Sequence, residues 1–211
     1  NIIGGSIFSG MSHALQSSYL LGICSYMFLF AIAGTVLYFH QAEIIKTAFD
    51  DRAVRTVFFA RIDWLVNLLT LSTQMFLTGR LLKVLGVALT LILLPAVCVI
   101  GFSILGFAPT LLVIVVFQTL RRATNYAVAR PTRELLYTVV TRDDKFKAKA
   151  FIDTFVYRAG DQIGAWTYAL MGIIGLGMTG IAFAAVPLSA AWLGLALWLG
   201  KQQEAKANLL S

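Results

Sequence analysis

The sequence predicts an all-α fold, a polytopic membrane bundle of six transmembrane helices. Hydrophobic residues make up 59% of the 211 and charged residues only 13%, where soluble domains hold about half and a quarter, and the mean hydropathy is +0.81. The apolar residues gather into windows of roughly 20 or more, each able to cross a hydrocarbon core about 30 Å thick at 1.5 Å rise per residue. These runs are too long and too continuously apolar for the roughly ten-residue alternation of a membrane β-barrel, so the spans are helices.

The windows lie over 17–47, 55–81, 84–107, 110–138, 148–174 and 178–200. A Gly- and Ser-containing connector over 1–16 precedes them, without the basic start and cleavage site of a secretion signal. Residues 201–211 form a cytoplasmic tail. The start at Asn1 suggests a piece of a longer chain. Lys and Arg concentrate in three connections: Arg80 and Lys83, then Arg142, Lys145, Lys147 and Lys149, then Lys201 and Lys206. The first connection, with Lys46, Arg52 and Arg55 partly balanced by Asp50 and Asp51, dilutes the pattern. The "GFAPT" and "GLGMTG" connections carry no charge, so the positive-inside rule places both ends of the segment in the cytoplasm. A solvated basic surface accounts for the net charge of +7 without a nucleic-acid partner.

Ionisable residues inside the spans point to function, since a charge at the bilayer centre costs at least about 2.5–3.5 kcal/mol unless it meets a partner or water. The first span ends with His40, Glu43 and Lys46, spaced by three and able to share a face, where a carboxylate or imidazole could carry a coupling proton. The second carries Asp63, Asn67, Thr70 and Gln74 at spacings of four, three and four. On the fourth, Gln118, Arg122, Asn125, Tyr126 and Arg133 fall on one face, with Arg121 beside it. Pro131 removes a donor and crowds the Ala127 carbonyl, which predicts a kink.

The fifth span sets Asp153, Tyr157, Asp161 and Tyr168 along one stripe, with Arg158 able to pair with Asp161. Gly160 and Gly164 invite a close helix neighbour. These stripes read either as hydrogen-bonded glue or as the lining of a wet cavity. In the cavity reading, Arg121, Arg122 and Arg158 attract an anion through forked guanidinium hydrogen bonds, with Asp153 and Asp161 as counter-charges. In the glue reading, Asp161 neutralises Arg158 and Asp63 neutralises Arg121 or Arg122.

Other patterns carry no chemistry. Gly175, Gly177 and Gly180 spell a dinucleotide fingerprint, but they join two membrane helices and read as a turn. Cys24 and Cys98 stand alone as buried thiols. No hydrolytic motif is present, so no enzyme activity, metal or cofactor is expected.

Three stretches resemble known transporters. "GRLLKVLG" (Gly79–Gly86) resembles a degenerate form of the loop that major facilitator transporters carry after the second helix of each half. "YFHQAEIIKTAF" (Tyr38–Phe49) and "NYAVARPTRELLYTVVTRDDKFKAKAFID" (Asn125–Asp153) look like the second half of the nucleotide translocase family, the ATP/ADP exchangers of plastids and intracellular bacteria and their bacterial relatives. Glu43 and Lys46 match its glutamate and lysine three apart. Pro131, Arg133, Glu134, Asp143, Asp144, Lys145, Lys147, Lys149, Ile152 and Asp153 match its Pro, basic, Glu run, its alternating lysines and its Ile-Asp pair. ATP/ADP exchangers carry a lysine where this sequence has Asp161 after Gly160, with Arg158 nearby.

The resemblance implies the C-terminal half of a twelve-helix, major-facilitator-type secondary transporter in a bacterial inner membrane. Its partner is an N-terminal half from the same gene or a second copy. Arg121, Arg122 and Arg158 would attract an anionic solute, a nucleotide or related phosphorylated metabolite, while Asn125 and Tyr126 orient it. Glu43, Lys46, Asp63, Asp153 and Asp161 would couple or adjust charge, and Gly79, Arg80, Lys83 and Gly86 would gate the cytoplasmic side. Removing Arg122 is expected to abolish uptake. The alternatives are a non-transporting membrane scaffold and a permease or exporter for an unrelated solute.

Overall fold

The computed structural model describes residues 17–49, 51–76 and 78–210; the connector predicted over 1–16 lies outside them. Among the described residues every regular element is helical: α1 (Ser18–Ala48), α2 (Arg52–Phe76), α3 (Thr78–Leu91), α4 (Leu93–Phe107), α5 (Leu111–Thr124), α6 (Arg130–Leu136), α7 (Arg142–Phe151), α8 (Tyr157–Ile173) and α9 (Met178–Leu210). A π-helical turn, Asn125–Ala129, joins α5 to α6, and a second, Ile152–Val156, joins α7 to α8.

Individually, α1 and α9 are long and apolar enough to cross a membrane, and α2 with α3, meeting at 78°, forms a broken third candidate. The backbone breaks several of the six predicted windows. The 84–107 window divides at Ile92, and the 110–138 and 148–174 windows are each interrupted by a π turn and by charged residues. The tail predicted from 201 instead continues α9 to Leu210.

The core is built around α1, which packs against α8, α9 and α5, while α9 also packs on α3 and α4. Being apolar on all sides, α1 suits such a central place. Its Tyr26 meets the fully buried Trp192 of α9 edge to face at 5.3 Å. Gly160 and Gly164 let α8 lie directly on α1, as their spacing predicts: a Cβ added at Gly160 would stand 2.7 Å from the Ala31 Cβ and 2.9 Å from the Phe28 carbonyl oxygen. The peripheral helices α2 and α8 leave large apolar side chains exposed, among them Trp64, Leu71, Trp166 and Ile173.

Residues Gly79–Gly86, predicted as a loop, are mostly helical. "RLLKVL" consists largely of good helix formers, and the break falls at Gly86, whose φ of 73° lies in the left-handed region that favours glycine. The chain restarts under a cap supplied by another helix: Glu204 of α9 accepts the Ala88 N–H at 3.0 Å. The "GLGMTG" segment is the turn its position predicts. Gly175 (φ 85°) closes α8 in a Schellman motif, with Leu176 N–H to Met171 O at 3.0 Å and Gly175 N–H to Gly172 O at 3.1 Å.

At Pro131 and Pro95 the backbone carbonyl left without its helical donor is met by a side chain of a neighbouring helix. Pro131 deprives Ala127, and the Thr78 hydroxyl donates to that carbonyl at 2.7 Å. In the π turn Arg130 N–H bonds Asn125 O, so the Tyr126 carbonyl loses its α-helical donor, and Gln74 Nε2 donates to it at 3.1 Å. Pro95 deprives Leu91, whose carbonyl lies 3.5 Å from the Tyr26 hydroxyl. Thr78→Val should therefore destabilise the fold by about 1 kcal/mol, the usual scale for a side-chain hydrogen bond between membrane helices, measured as a lower melting temperature in detergent. An unchanged melt would mean that Ala127 finds another donor.

Candidate functional site

A cavity of about 840 Å³ opens between α1, the π turn and α6, and the second π turn at the head of α8. Ile23, Met27 and Phe30 supply an apolar wall from α1. Asn125 and Tyr126 enter from the first π turn, and Asp153 from the second. Both breaks in helical winding thus border the same space, in keeping with the frequent use of π turns at functional sites.

Arg130, Arg133 and Lys149 face this cavity against Glu134 and Asp153, three cations to two carboxylates. Lys149 is committed, its ammonium holding both Glu134 oxygens at 2.6 and 2.7 Å. Arg133 lies over the Phe30 ring at 5.0 Å, with Nη1 2.9 Å from the Met27 sulfur and Nη2 3.5 Å from Asn125 Oδ1. Its contacts are thus an aromatic face, a thioether and an amide, none of them an anion. Arg130 stacks over the Tyr126 ring at 5.1 Å and is otherwise exposed. Two guanidinium groups therefore face one unpaired carboxylate, Asp153, whose charge acts on Arg133, and the cation in excess makes the cavity a favourable setting for a carboxylate or phosphate.

The structure brings Asn125, Tyr126 and Asp153 together, but not the three arginines of the predicted site. Arg121 is buried outside the cavity lining, its guanidinium 5.5 Å from the Phe30 ring centre and packed over Gly34. Its Nε has no hydrogen-bond partner. Arg122 forms an ion pair with Asp63 of α2. Arg158 is exposed and does not pair with Asp161, which instead accepts a hydrogen bond from Thr35 at 3.0 Å. Arg130, Lys149 and Glu134 were not singled out as site residues by spacing, while Arg133 belongs to the recognised stripe.

At the end of α1 the expected shared face is split. His40 is fully buried, its Nε2 donating to the Met178 carbonyl at 2.8 Å, whereas Glu43 and Lys46 are exposed. A step of three residues turns a helix by about 300°, so each successive member of such a series drifts by about 60°. Gly79, Arg80, Lys83 and Gly86 stand away from the cavity on α3.

The Arg122–Asp63 pair makes a separate prediction. Arg122→Asp and Asp63→Arg should each lower the melting temperature, and the double exchange should recover most of the loss. Additive losses would show that the pair contributes nothing.

The apolar helices and the charged cavity between them define a helical integral membrane protein. No family model matches the chain, and no solved structure matches it. Among curated proteins it is similar to ADP,ATP carrier protein 2 of Chlamydia pneumoniae, with 19% identity over 220 residues. The alignment covers 92% of this chain and 41% of that carrier, so the chain spans less than half the length of its relative.

Proposed function

We propose that the chain is the C-terminal, six-helix half of a major-facilitator-type secondary transporter that carries an anionic solute, a nucleotide or related phosphorylated metabolite. The observation that carries this reading is the excess of cation over carboxylate, Arg130 and Arg133 against the unpaired Asp153, at a cavity bounded by two π turns. Similarity to an ADP,ATP carrier supports the same solute class. In this scheme Arg130 and Arg133 take the anion, replacing Arg121, Arg122 and Arg158 in that role, and Asn125 and Tyr126 orient the solute. An N-terminal half or a second copy closes the other side, and the two halves rock about the cavity in alternating access. The protein sits in a bacterial inner membrane with both ends of this segment in the cytoplasm.

The test is exchange of radiolabelled ATP and ADP by the intact protein in proteoliposomes. Counterflow that saturates with external nucleotide is the expected result. Intact, folded protein that exchanges neither ATP, ADP nor another organic phosphate would remove the transport reading and favour a membrane scaffold.

A further inference from the structure

We propose that Arg133 and Asp153 form a two-pole subsite, which selects a solute carrying an anionic group at one end and hydroxyl or amino hydrogen-bond donors at the other. This rests on the anion-transport reading of the same cavity. Arg133 and Asp153 both line that space, yet they form no ion pair with each other. Arg133 spends its nitrogens on a sulfur and an amide oxygen. Asp153 is exposed and its charge acts on Arg133 across the cavity, without a direct hydrogen bond or ion pair between the two.

The neighbouring Glu134 shows the contrast. Lys149 grips both of its oxygens, so a carboxylate in this wall is neutralised where the backbone brings a cation within reach. Arg133 follows the first π turn and Asp153 sits in the second, so the two unlike charges are mounted on separate helices.

A wall bearing only cations would accept any anion of suitable size, inorganic phosphate included. A carboxylate held out of any ion pair repels such an anion by the same Coulomb term that the arginines use to attract it. When ionised it is an acceptor only, so it rewards a solute whose far end donates. Tyr126 and Tyr157 also line the space, and the Tyr126 ring already meets the Arg130 guanidinium. They offer flat apolar surface for a planar middle section of the solute.

The experiment measures binding of adenosine 5′-monophosphate, its 2′,3′-dideoxy form, inosine 5′-monophosphate and inorganic phosphate to the full-length protein by titration calorimetry. The dideoxy compound lacks the diol and the inosine compound lacks the exocyclic amine, so the two arms separate hydroxyl from amino recognition. The wild type should bind adenosine 5′-monophosphate about tenfold or more tightly than at least one of the two analogues, a difference expected where a site hydrogen-bonds the missing group. Asp153→Asn should shrink that ratio to within about threefold.

Equal binding of all four compounds by the wild type overturns the proposal, as does an Asp153→Asn variant that keeps the ratio, and in both cases the anion-transport reading stands. Wild-type protein that binds none of the four overturns both. Unliganded melts of Asp153→Asn and Asp153→Ser establish which variant is folded and used. If neither is, the wild-type ratios decide.

Discussion

Arg133→Gln is expected to abolish anion binding by a protein that still folds. The guanidinium reaches the cavity from α6 over the Phe30 ring, and its existing contacts are neutral. Truncating one partner of a buried, hydrogen-bonded charge pair costs about 2–5 kcal/mol, or roughly thirtyfold to several thousandfold in affinity. Calorimetric titration of the purified protein with adenosine 5′-monophosphate reads this directly, and an unliganded melt checks the fold. The comparison with Arg122→Ala is decisive. Arg122 is engaged with Asp63, and Arg133 is not engaged with any anion. A larger loss at Arg122 than at Arg133 would return the site to the arginines that spacing alone selects.

Gly200→Leu is expected to have the largest effect on stability. A Cβ at Gly200 would lie 2.3 Å from the Ala88 Cα and 3.0 Å from its nitrogen, a collision with backbone that no change of rotamer relieves. It would also part α9 from α3 where Glu204 caps the Ala88 N–H. Overpacking typically costs about 1–3 kcal/mol and occasionally more, and here the lost cap adds about 1 kcal/mol. The expected readout is a melting temperature far below wild type, or no monodisperse protein after extraction. A near-normal melt would show that the two helices separate easily at this contact.

Much of the helix layout is legible in the sequence. The first window differs from α1 by one residue at each end, and the last begins where α9 begins, because continuous apolar runs leave little choice of boundary. The Gly160–Gly164 contact and the Ala127 carbonyl freed by Pro131 also follow from residue type and spacing. The arginine assignment does not, for a geometric reason. Counting 100° per residue puts Arg122, Asn125 and Arg133 on one face of a straight helix, but the Asn125–Ala129 turn holds one residue more than α geometry allows. Faces before and after it fall out of phase, so Arg122 turns to Asp63 on α2 while Arg133 turns inward. Asn125 and Tyr126 belong to the turn itself, and they line the cavity.

That surplus residue has a mechanical consequence. Were the Asn125–Ala129 segment to rewind with α-helical pitch, the excess would leave as a screw motion, carrying everything beyond it through about 100° and along the axis by about 1.5 Å. Arg130, Arg133 and Glu134 would be swept round together, and the Gln74 and Thr78 tethers on the flanking carbonyls would have to let go first. Winding and polarity of the chamber are therefore one coordinate, with a side-chain amide and a hydroxyl as its detent.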